Sequence, residues 1–273
     1  MGTGLNSKNL IKAINTYACS ALSYSFGIIS WTTTDLAALQ RKIRTMLTKH
    51  NKHHPKSSKE RTELPRHLGG RGIVDLSNRM SQEIEGLRKY FLSKAASSEL
   101  HRVVCVADSS TPLKLQQDHL ETVEHSAESK MQKLIGKPLH GRHQNEVNHD
   151  YVDISASNYW LTSGRLFPET EGFMLAIQDQ VIPTRNYMRY IAKDASVADD
   201  SCRYGCATHE TIQHITGGCQ KFAGTEYKNR HDAVAKILHQ ELALKHQLLT
   251  SKRIPYYNNH PDAVLENEHH KLY

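Results

Sequence analysis

The chain has 273 residues, 38% of them hydrophobic and 23% charged, with a formal charge of +7, a pI near 9.1 and a mean hydropathy of −0.59. No apolar run reaches the roughly 20 residues that a membrane span needs, and Met1-Gly2-Thr3-Gly4-Leu5 lacks the charged and apolar regions of a secretory signal. The expectation is therefore a soluble, intracellular protein with no membrane partner. Positive charge favours a polyanion through long-range attraction and counterion release. Five cysteines, three of them within eighteen residues, fit metal ligation in a reducing compartment better than a disulfide framework.

From Asp35, the residues Leu36, Leu39, Ile43, Met46 and Leu47 recur at helical spacing, with Thr34 or Asp35 placed to cap the helix. Arg41, Lys42, Arg44 and Lys49 lie on its other face. From Arg41 to Arg71 the chain holds ten Lys or Arg, Lys52, Lys56 and Arg66 among them, against Glu60 and Glu63. Basic residues on an amphipathic helix usually form only a solvated face. Here their density favours a grip on phosphate.

His50, His53 and His54 read as an exposed polar turn, and the Pro and Gly residues of 64–72 read as an irregular loop. A second helix is expected over Ser77–Lys94, with Met80, Ile84, Leu87 and Phe91 on one face. Residues 96–150 show no sustained period and read as a loosely ordered linker. Further helices are expected over Glu171–Ile182, ended by Pro183, over Met188–Lys193, and over His231–Leu249 with a stripe of Val234, Ile237, Leu238, Leu242 and Leu248. No internal repeat is present. The class expected is mostly α.

Between the last two helices lies Cys202-x3-Cys206-x7-His214-x4-Cys219. Three thiolates and one imidazole make a complete tetrahedral set for Zn2+, and with no open position for water the ion would be structural. Gly205, Gly217 and Gly218 would let the backbone turn tightly between ligands. His209 competes with His214 as the nitrogen ligand, and His214 is favoured for its spacing to Cys219. Unligated core cysteines with a chance histidine are the plainer alternative. Arg203 and Tyr204, at the tip of the first turn, could meet a nucleic acid through charge and stacking.

The same residues carry a resemblance. Cys202-Arg203-x-x-Cys206, Glu210-Thr211-Ile212-x-His214-Ile215, Gly218-Cys219 and Tyr227-x-x-Arg230-His231-Asp232-x-Val234 resemble the CCHC segment of site-specific non-LTR, LINE-type retrotransposon polyproteins. These combine a reverse transcriptase with a restriction-like endonuclease. Tyr24-Ser25-Phe26-Gly27-Ile28-Ile29-Ser30-Trp31, the basic helix and Leu64-Pro65-Arg66-x-x-Gly69-Gly70-x-Gly72-Ile73 resemble the thumb of those polymerases. Trp160-Leu161-x-x-Gly164-x-Leu166, Glu169-Thr170-Glu171-Gly172 and Ala176-x-Gln178-Asp179-Gln180 with Thr184-Arg185 look like the linker between thumb and knuckle. Residues 233–249 and 255–268 resemble the stretch leading into the endonuclease.

The resemblance implies a thumb-like helical region over 1–95, a linker over 96–150, a helical linker region over 151–200, a CCHC zinc knuckle over 201–232, and a helix and tail over 233–273. It implies template RNA and target DNA as partners, a nuclear location, and polymerase and endonuclease modules of the same polyprotein that this chain lacks. No catalytic residue is assigned. Asp199-Asp200 lacks the flanking strand residues of a polymerase motif and reads as a solvated loop. Pro261-Asp262 imitates an endonuclease element without the second carboxylate and lysine, and reads as a turn. Asp179, Asp232, Asp262 and Glu266 are too scattered to form a nuclease centre. The function expected is a nucleic-acid-binding portion of such a polyprotein, contributing template and primer grip to target-primed reverse transcription. The alternative is a host-domesticated zinc module for protein interaction.

Overall fold

A computed structural model describes residues 4–117, 126–249, 253–255, 258 and 264–272. Pro261-Asp262 falls outside the described residues. The chain divides into two compact units, Met1–Ile182 and Pro183–Tyr273. The fold is mostly α, and the sheet among the described residues is a single antiparallel pair, β1 Leu265–Glu266 with β2 Lys271–Leu272.

In the first unit, α1 (Ser7–Ala13) runs on through a π-turn, and α2 (Thr33–Lys49) packs beside it. The cap of α2 is Thr32, two or three residues earlier than the sequence suggests. Its hydroxyl accepts from the Asp35 amide at 3.1 Å while Asp35 reaches back to the Thr32 amide at 3.2 Å, a reciprocal capping box. Leu36, Leu39, Ile43 and Leu47 enter the core with Leu10, Ile11, Phe26 and Ile73. Met46 faces outward. Gln40 is buried instead, its amide donating to Val74 O (3.1 Å) and accepting from the Leu76 amide (3.3 Å), which ties α2 to the start of α3 (Leu76–Ala95).

The helix α3 brings Met80, Ile84, Leu87 and Phe91 to the core, as its spacing predicts. The segment 96–150 differs from expectation. Its described residues form α4 (Glu99–Ala107), α5 (Ala127–Ile135) and α6 (Arg142–Val147). Each is short and buries few apolar side chains, Cys105, Leu134 and Val147 among them, and polar anchors supplement these. Buried Arg88 of α3 donates to the carbonyls of Leu113, Lys114 and Gln117. Lys130 pairs with Glu63 and Asp75, and Lys137 with Glu60.

The helix α7 (Pro168–Gln178) starts earlier than predicted, with Pro168 in its first turn, and ends before Ile182. A Cβ on its Gly172 would sit 2.5 Å from the Lys52 carbonyl, so only glycine allows this helix to lie on the 50–58 turn. His53 is consequently buried, which corrects the reading of that turn as exposed.

In the second unit, the expected helix over 188–193 is a turn of α-helix, Arg185–Tyr187, followed by a π-turn, Met188–Ala192. The last long helix, α8, spans Lys228–Lys245. Its stripe of Val234, Ile237, Leu238 and Leu242 is exposed, and Gln240 and Ala243 are the buried residues.

Candidate metal centre

Cys202, Cys206, His214 and Cys219 converge in the second unit, with one ligand atom from each lying within 4.8 Å of the others. The Sγ atoms of Cys202 and Cys219 are 4.0 Å apart and those of Cys206 and Cys219 are 3.5 Å apart. A tetrahedron with metal–sulfur bonds of about 2.3 Å has edges of about 3.8 Å, so these separations suit a shared cation. They are far beyond the roughly 2 Å of a disulfide.

Local structure explains the convergence. Cys202 and Cys206 flank a tight turn in which the Gly205 amide donates to Cys202 O at 3.0 Å, and Gly205 takes a φ of 81°, a conformation costly for any other residue. The turn folds back at a bridge between Ser201 and His209, with the Cys202 amide donating to Thr208 O at 2.9 Å. His214 opens a π-turn, His214–Gly218, that delivers Cys219 at its end. Gly217 and Gly218 lie inside that turn, and of the three glycines Gly205 alone has a positive φ. Tyr227 closes it: its hydroxyl accepts from the Cys219 amide (3.0 Å) and donates to the carbonyls of His214 and Ile215.

The donor set has the electrostatics of a site that needs a cation. Burial opposes ionisation of Cys202, yet the Tyr204 amide and the His214 ring outweigh it and hold the thiol below its ordinary value. Burial pushes the Cys219 thiol up, and its two sulfur neighbours add to that. Buried His214 Nε2 has no hydrogen-bond partner, an omission that a metal bond would make good. His209 is exposed and its Nδ1 lies 2.9 Å from Asp200, so the nitrogen of the tetrad is that of His214.

Buried Glu210 had no evident role in sequence. It accepts from the Arg185 amide (2.9 Å), the Arg203 amide (2.9 Å) and the Arg203 guanidinium (2.6 and 2.8 Å), and so fixes the first cysteine turn to the chain before it. Asp200, expected in a solvated loop, is buried and accepts from Asn186 Nδ2 at 2.8 Å. Arg203 is thus a clamp as well as a surface cation. Tyr204 is half exposed and meets Phe222 edge-on at 4.7 Å.

The basic residues of the first unit separate into two groups. Arg41, Lys42, Lys49 and Lys56 are exposed, and Arg44 is half-buried beside Glu63 at 3.6 Å. Lys52, Arg66 and Arg71 turn inward, which corrects their reading as phosphate contacts. Arg71 is fully buried, donating to Glu171 (3.1 Å), Ser7 Oγ (3.1 Å) and Lys52 O (2.5 Å). Arg66 also pairs with Glu171, and Lys52 with Glu169 at 2.6 Å. Arg61 joins the set through Asp179, at 2.6 Å. These pairs pin the 52–72 segment to α7. An isolated buried charge would be costly, and each of these has found a partner.

The fold and the tetrad define a mostly helical chain with a Cys3His cluster able to hold a metal ion. Neither a family model nor a curated protein matches it.

Proposed function

We propose that the cluster binds one structural Zn2+ and that the protein is a nucleic-acid-binding portion of a non-LTR retrotransposon polyprotein. The observation that carries the metal reading is the convergence of three sulfurs and a ring nitrogen of His214 within 4.8 Å, beside a buried Nε2 that has no hydrogen-bond partner. Zinc so held contributes folding free energy and leaves no site for substrate. On this reading Arg41, Lys42, Lys49 and Lys56 meet the phosphates of template and primer, and Tyr204 offers a stacking face to RNA or DNA. The portion would serve target-primed reverse transcription in the nucleus, beside polymerase and endonuclease modules of the same polyprotein.

The test is binding to single-stranded RNA and duplex DNA across a salt series. Replacing Arg41, Lys42 and Lys49 by Gln is expected to reduce the log–log salt slope on RNA by about 2. A slope unchanged by the triple substitution, or no binding at low salt, refutes the reading. The exposed stripe on α8 favours a second one, a host-domesticated zinc module whose partner is a protein. It gains if nucleic-acid binding is absent and replacing Val234, Ile237 and Leu238 by Glu abolishes capture of a defined protein partner.

A further inference from the structure

The two ring nitrogens of His214 have different surroundings. Nδ1 lies 3.1 Å from Thr208 Oγ1, while buried Nε2 has no hydrogen-bond partner. Which nitrogen of a histidine meets a metal is decided by what the other one holds. We propose that Thr208 is the positioning residue of the metal centre. Its hydroxyl oxygen accepts the Nδ1 proton, fixing the tautomer and ring angle that present the Nε2 lone pair to the ion among Cys202, Cys206 and Cys219. The inference rests on the metal reading above.

Thr208 is suited to this by its backbone. Its carbonyl accepts from the Cys202 amide at 2.9 Å, and the Ser201–His209 bridge lies immediately beside it. The hydroxyl is therefore carried on the same paired loop that carries the first thiolate, so that ring and sulfur are oriented from one frame. Among the described residues, Thr208 Oγ1 is the hydrogen-bond partner of Nδ1, and the nearby imidazole of His209 is taken up by Asp200. Thr208 is exposed, so its hydroxyl hydrogen is left to water while the oxygen faces the ring.

The test uses the full chain loaded with zinc, comparing wild type, Thr208→Ser and Thr208→Val. Zinc affinity is read by competition with a chelator, and two-bond proton–nitrogen spectra of His214 report which nitrogen is metal-bound. Thr208→Val is expected to weaken zinc about tenfold and to erode pure Nε2 coordination, while Thr208→Ser keeps both. A Thr208→Val protein with wild-type affinity and spectrum overturns the inference. So does a Thr208→Ser protein that loses as much as Thr208→Val, since the methyl and not the hydroxyl would then matter. Should the valine variant fail to fold, Thr208→Ala carries the same comparison. If the wild type itself takes up no zinc, the metal reading fails and this inference with it; if zinc uptake is intact and only the Thr208 effect is missing, the inference alone fails.

Discussion

Three thiols packed against one another cannot all ionise cheaply until a cation sits between them, so each ligand of the tetrad depends on the other three. Cys219→Ser is expected to remove metal from the whole site and to destabilise the second unit, read as zinc content and as loss of amide protection there. His209→Ala is expected to change neither, because His209 faces Asp200. In the first unit, Arg71→Met leaves Glu171 buried with its charge undercompensated, and should cost about 3–5 kcal/mol in denaturant unfolding. Nucleic-acid affinity of the folded variant should be unchanged. The four converging side chains were legible in the sequence because the turn and the π-turn keep their spacing local. The internal fate of Arg66 and Arg71 was not, because Glu171 lies about a hundred residues further along the chain. A charge count within one segment cannot register so distant a carboxylate.

At the scale of elements, helices with an apolar stripe were readable, and their ends were shifted by caps whose partners are single side chains. Thr32→Ala should lower stability by about 1 kcal/mol through the exposed end of α2, measurable as a shift in denaturant midpoint. The 50–58 turn carries a stronger dependence on pH. Burial, with Arg71, Arg44 and His54 close by, pulls the His53 pKa down from 6.5 to about 3. The folded state therefore holds His53 neutral while the unfolded chain protonates near its ordinary value. The stabilisation is complete above about pH 6.5 and is lost as pH falls towards 3. His54 and His143, also lowered by burial, act in the same direction. Unfolding free energy of the first unit should begin to fall between about pH 6.5 and 4.5, above the range where the carboxylates titrate. His53→Gln should flatten that slope, and an unchanged slope would remove His53 as its source. The helices of 99–147 escaped the sequence reading because they are short and bury only one or two side chains each, and Lys130 and Lys137 complete their anchoring on carboxylates some seventy residues back in the chain, Glu63 and Glu60.

Across the whole molecule, mostly-α class was evident from the spacing of apolar residues, whereas the division at Ile182 was not, since no composition change marks it. The two units are held by different means. The first is built around apolar clusters and buried ion pairs. Among the described residues, the second has few buried apolar side chains beside its tetrad, so metal should contribute much of its stability. Chelation is expected to remove hydrogen-exchange protection in 183–249 while leaving that of 7–107 in place. X-ray absorption at the zinc edge, on protein purified without chelator, should show one zinc per chain with three sulfurs at about 2.3 Å and one nitrogen at about 2.0 Å. Absence of zinc, or a shell of nitrogen and oxygen without the three sulfurs, would contradict the zinc reading of the tetrad.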